Sequence, residues 1–166
     1  MIISKIKVLN EERIANVITD LERGKLKIPR FQRKFVWERS KIIKLLDSIY
    51  QEFPIGSFFI WEADRQYSKF FKDIAELELP KPQKYTTLDF ILDGQQRITS
   101  LYVVMKGKKV GNMDYSQICF DFQLEKFTIR KKKFKLGDYI IPVCEIFGQD
   151  HFSIYDTLDS EKKEIF

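Results

Sequence analysis

The pentapeptide Asp93-Gly94-Gln95-Gln96-Arg97 brings a carboxylate, two amides and a guanidinium together at the junction of two apolar segments. Before it runs LDFIL, Leu88 to Leu92, a strand expected to be buried on both faces. After it, Ile98, Leu101, Tyr102 and Met105 recur at helical spacing, with Gly107 as the stop. Part of the junction has a local explanation. Asp93 can cap the helix, Gln96 three residues on can complete a capping box, and Gly94 suits the turn. Such a cap contributes about 1 kcal/mol. Gln95 and Arg97 are left over. The helix dipole opposes a cation in the first turn. A guanidinium fixed beside uncapped N–H groups is favourable when an anion lies between them. The junction therefore reads as a phosphate site. Thr99 and Ser100 are near enough to assist, but read more readily as ordinary helix residues.

A second group of chemistry-bearing residues lies in IPRFQRKFVW, Ile28 to Trp37. Arg30, Gln32, Arg33 and Lys34 sit among Phe31, Phe35 and Trp37. In an extended chain, Arg30, Gln32 and Lys34 share one face, and Phe31, Arg33, Phe35 and Trp37 the other. Aromatic rings beside guanidiniums stack a base or hold the arginines rigid. The same rings read alone are core plugs. A third stretch, KFTIRKKKFK from Lys126 to Lys135, carries six basic residues and no acidic one. Arg130, Lys131, Lys132 and Lys133 could track a phosphate backbone, or be the polar face of a hairpin whose lysines blunt a sheet edge.

These groups need elements to position them. Ile14, Val17, Ile18 and Leu21 mark an amphipathic helix, with Asn10 as its cap and Gly24 as its end. A second helix carries Ile42, Leu45, Leu46, Ile49 and Tyr50 on its buried face and stops at Pro54 and Gly56. SFFIW is β-prone, QICFDFQ alternates as a half-buried strand, and EKFTIRK pairs with it as a hairpin. DYIIPVCEIF is a last strand or the entry to a helix. The order of helices and strands is an α+β pattern without regular βαβ repetition.

The 166 residues suit one domain, expected over 1–166, and a chain of that length buries about 70% of its unfolded surface. Hydrophobic residues make up 44% and charged residues 32%, with 15 phenylalanines, which excludes a disordered chain. No apolar run approaches the roughly 18 residues of a membrane span, and the N-terminus has no secretory pattern, so a cytoplasmic protein is the expectation. The net charge of +5 suits an anionic partner. With two distant cysteines, Cys119 and Cys144, and His151 as the one histidine, neither a zinc site nor a multi-histidine nuclease centre is expected.

Taken together, IPRFQRKFVWERSKIIKLLDSIYQEFPIGSFFIWE and ILDGQQRITSLYVV resemble the N-terminal domain of the GmrSD-type restriction family. The likeness covers about Asn10 to Val104, and YIIPV fits a later core strand. Where the family often has glycine before Pro54, this chain has Glu52 and Phe53, which touches a turn. The order of motifs is also similar, more distantly, to ParB partition proteins and sulfiredoxins. That likeness implies a small mixed sheet flanked by helices, with phosphates at the turn Gly94 to Arg97. Sulfiredoxin chemistry needs a cysteine in that turn, and none is there. The GmrSD resemblance implies NTP binding and hydrolysis, with magnesium, in the service of cleaving modified foreign DNA. It implies Asp93 as the residue positioning magnesium or water, Gln95 or Gln96 as the one orienting water, and Arg97 on phosphate. Arg30, Gln32 and Arg33 would line the same pocket, with Gly94 and Thr99 at the phosphates. Family members continue into a helical region and often an HNH-like nuclease domain. Neither is present by Phe166, so a truncated chain whose nuclease lies elsewhere is expected. The competing class is a non-catalytic DNA-binding module gripping phosphates through Arg30, Arg33, Arg97 and the Lys126–Lys135 run. A purely structural domain with capped helices is the third.

Overall fold

The computed structural model describes residues 4–9, 14–29, 35–72, 85–131, 133, 135, 138–148, 155, 156, 158, 160 and 163. In chain order the elements are β1 (Ser4–Leu9), α1 (Ile14–Glu22), β2 (Leu26–Pro29), α2 (Arg39–Tyr50) and β3 (Phe58–Asp64). A 3-10 turn over Arg65–Phe70 leads to β4 (Phe71–Lys72), β5 (Thr87–Asp93) and α3 (Gln95–Met105). Then come β6 (Lys109–Val110), β7 (Met113–Asp114), β8 (Ile118–Asp121), β9 (Lys126–Ile129), β10 (Ile140–Pro142) and α4 (Val143–Ile146). This is an α+β fold with a small mixed sheet. The chain divides into two compact units, residues 1–36 with 55–99, and residues 37–54 with 100–166.

The first unit is built on a five-stranded sheet in the order β1-β3-β5-β2-β4. All its pairs are antiparallel except β2 with β5, which run parallel. Leu88, Asp89, Phe90 and Ile91 are all buried, as an interior strand with both faces covered requires. Ala63, Leu88 and Phe90 form a core on one face, with Trp61, Tyr67 and Tyr85 packed against them. The other face carries charge. Lys7 bonds Glu62, and Asp89 lies 3.9 Å from Lys7 and 3.5 Å from Lys25. Helix α1 packs along β2 and buries Val17, Ile18 and Leu21. It ends at Gly24, where the Lys25 amide donates back to Asp20. Asn10, expected as its cap, lies outside the described residues.

The second unit pairs β10-β8-β9 in an antiparallel sheet, with Phe120 opposite Phe127 across the β8–β9 hairpin. The sequence expectation of a half-buried strand is corrected here, because all four residues of β8 are buried. Phe120, Phe122, Ile141 and Leu158 form the core. Helix α2 buries Ile42, Leu45 and Leu46, but Tyr50 is 45% exposed. Its ring still stands 5.0 Å from that of Phe120, so it covers the sheet from the rim instead of filling the core. Strand β10 leads directly into α4, the strand-to-helix entry anticipated for DYIIPVCEIF.

Candidate functional site

The turn between β5 and α3 is the centre of the site. Helix α3 starts at Gln95, which puts Gly94 and not Asp93 at the capping position. Gly94 has φ +91°, and a Cβ there would collide with the ring of Phe58 from β3. Only glycine fits both the conformation and the space. The expected capping box does not form around Asp93. Its carboxylate accepts from Arg97 Nη2 at 3.2 Å, and its side chain is 68% exposed. Gln96 turns inward instead, and its Oε1 accepts the Val36 amide at 3.1 Å. A side chain read as a local cap therefore holds a segment 60 residues away.

Arg97 is drawn in several directions at once. Nη1 donates to the Ile55 carbonyl, and Nη2 donates to the Ser57 carbonyl at 2.9 Å as well as to Asp93. The guanidinium lies over the Phe58 ring, 4.8 Å from its centroid. Gln95, Thr99 and Ser100 are buried in the same opening turns of α3. Thr99 Oγ1 is buried with no hydrogen-bond partner among the described residues. A buried hydroxyl in the opening turns of a helix is a feature a ligand or water would satisfy. The structure thus brings Asp93, Gly94, Gln95, Gln96, Arg97 and Thr99 into one turn. Arg30, Gln32 and Arg33 lie outside the described residues. The Gln96–Val36 bond does fix the chain just beyond them.

Magnesium usually takes one or two protein carboxylates and completes its shell with phosphate and water. The exposed Asp93 carboxylate fits that minimal role. No group of three or more histidines, cysteines or acids that could hold a metal occurs among the described residues. The helix N-terminus and Gly94 fit a phosphate, since the backbone can approach closely there. Arg97 fits less simply, because both its terminal nitrogens already bond the protein.

The basic run is divided in role. Arg130 Nη1 donates to Asp138 at 2.8 Å and to the Ile140 carbonyl at 3.0 Å, which ties the end of β9 to β10. Lys131 and Lys133 are exposed, and Lys132 lies outside the described residues. Arg130, Lys131 and Lys133 line a groove of about 400 Å³ together with Asp114, Glu145 and both cysteines. Burial pushes the Cys119 thiol up to about 11, and Cys144 is raised by burial and by Glu145 beside it.

Two features escaped the sequence reading. Lys27 in β2 is wholly buried, a charged side chain among the large apolar ones that are fully enclosed. Its flanking Leu26 and Ile28 suggest alternation with a solvent face, and nothing local says that both faces are covered. The Ile55 and Ser57 carbonyls are the other omission, because a carbonyl carries no signature in sequence.

The family model of the GmrSD restriction endonuclease N-terminal domain matches residues 14–165. The chain belongs to the GmrSD N-terminal domain family. It is also similar to an uncharacterised protein, MJ0686, of Methanocaldococcus jannaschii, with 32% identity over 99 residues. That alignment covers 55% of this chain and 16% of the relative, so the chain spans about a sixth of that relative's length. In this GmrSD N-terminal domain no helix among the described residues is long and apolar enough to cross a membrane.

Proposed function

We propose that this GmrSD N-terminal domain binds a nucleoside triphosphate and, with magnesium, hydrolyses it within a modification-dependent DNA restriction or phage-defence protein. The observation that carries the reading is the turn itself. A glycine that cannot be replaced opens helix α3 beside an exposed carboxylate and a buried polar layer. The likeness to ParB proteins and sulfiredoxins supports phosphates at the same turn. In this reading Asp93 holds magnesium or positions water, and Arg30, Gln32 and Arg33 come from the neighbouring segment. Gln96 Oε1 already accepts the Val36 amide, so orienting the water falls to Gln95. Thr99 and the α3 backbone face the phosphates, and Arg97 borders them. The nuclease acts from another part of the protein or another subunit.

Calorimetry with ATP, GTP, CTP and UTP in magnesium tests this. Saturable binding to the parent, with turnover lost in Asp93→Asn, is the expected result. If no triphosphate binds either this chain or one extended at its C-terminal end, the reading is wrong. The second reading is a DNA-binding module without catalysis, favoured by the exposure of Lys131 and Lys133 along one groove. DNA affinity would then fall steeply with salt, by about 0.9 log units per log unit of salt for each phosphate bound.

A further inference from the structure

We infer that Arg97 is a positioning residue, whose guanidinium holds the main chain at Ile55 and Ser57 against the opening of α3, and not the residue that grips phosphate. The inference rests on the nucleotide reading and concerns the same turn. Three observations carry it. First, the carbonyls of Ile55 and Ser57, which flank Gly56, both accept from this one side chain. They converge on it because the chain curls around Gly56, which has φ +84°. A Cβ at Gly56 would stand 2.7 Å from Arg97 Nη1, so the turn is shaped to the guanidinium.

Second, the ring of Phe58, which closely follows that turn, carries the guanidinium on its face and fills the space over Gly94. Arg97 on Gly56, and Phe58 on Gly94, form a closed set of contacts between segments about 40 residues apart. Third, the positive charge is already answered by two carbonyl dipoles and Asp93, with the side chain only 17% exposed. An incoming phosphate would have to displace those partners. Removing the clamp would instead release the segment at 55–57, where the chain returns to the first unit, and so misplace the turn. Arginine suits this task because its planar fork reaches two acceptors at once, and a lysine ammonium does not.

The test compares Arg97→Lys with Gly56→Ala in the full chain. The first keeps the charge and loses the fork. The second keeps the arginine but pushes Nη1 from its seat. Binding of ATP, GTP, CTP and UTP with magnesium is titrated, and amide exchange is followed over residues 55–59. The expected result is a similar loss in both variants, about 10- to 100-fold in affinity for whichever triphosphate the parent binds. Exchange over 55–59 should quicken by about tenfold or more in both, while β8 and β9 stay protected. The inference is overturned if Gly56→Ala binds like the parent. It is equally overturned if Arg97→Lys weakens binding with exchange over 55–59 unchanged. If the parent binds no triphosphate, the nucleotide reading fails, and exchange alone decides the clamp: faster in both variants keeps it, unchanged rates remove it. If Gly56→Ala does not fold, exchange and binding in Arg97→Lys decide by the same criteria.

Discussion

Charge and burial are set against each other most sharply at single residues. Asp89 is buried among the strands, and burial, together with the Glu62 charge, raises its pKa more than Lys7 and Lys25 lower it. The folded chain therefore holds that proton more tightly than the unfolded chain does. With the folded value above the ordinary one, its contribution to stability is greatest below about pH 4 and is lost as pH rises to the folded value. Asp89→Asn stays neutral throughout. Urea midpoints of the two proteins should thus move in favour of the asparagine variant as pH is raised from acid to neutral, and a shift the other way would contradict this. Lys25 has the opposite arrangement. Burial lowers its pKa, but Asp89 and Asp20 more than offset it. Its contribution is complete at neutral pH and is lost as pH rises from the ordinary lysine value to the raised one. Cys119, held at about 11 by burial, is about one-thousandth thiolate at pH 8. Iodoacetamide should leave it unmodified in the folded protein and label it in urea, as read by intact mass.

The turn that opens α3 works as an element and not as five separate residues. Gly94 meets Phe58, Arg97 meets Gly56, and Gln96 meets Val36, so three stretches of chain are joined at one helix start. Gly94→Ala forces a strained backbone and displaces an aromatic ring, and should cost about 2–4 kcal/mol in urea unfolding. A change below about 0.5 kcal/mol would mean that the Phe58 ring moves aside freely. Elements with a contiguous pattern were legible beforehand: β5 from its apolar run, α3 from its spacing and Gly107, the β8–β9 hairpin from its alternation. Strand β1 was not legible, because an edge strand alternating Lys5, Ile6, Lys7 and Val8 acquires meaning only by pairing with the distant β3. The four residues of β2 are too few to carry a period, and their burial depends on β5 and β4.

At the scale of the molecule, the positive charge has two distinct uses. Arg130 is engaged inside the second unit, joining β9 to β10. Lys131 and Lys133 face outward. If the chain grips DNA, Lys131→Glu with Lys133→Glu should weaken binding and reduce its salt slope by about 0.9 for each phosphate no longer neutralised. Fluorescence anisotropy across a salt series measures this, and an unchanged slope would remove these lysines from the interface. Arg130→Ala should instead loosen the sheet, by about 1–3 kcal/mol, since it deprives the Ile140 carbonyl and the Asp138 carboxylate of the guanidinium that donates to both.

The sequence by itself determined the α+β class, the family and the presence of a glycine turn opening a polar helix start. Those rest on residue type and spacing, which are local and can be read along the chain. Only the tertiary structure decided where the polar side chains of that turn point. Asp93 faces solvent, Gln96 holds Val36, and Arg97 holds Ile55 and Ser57. Val36, Ile55 and Ser57 meet these two side chains through backbone groups brought in by folding from about 40 to 60 residues away. Nearly every residue carries such groups, so nothing in a side-chain pattern can single them out.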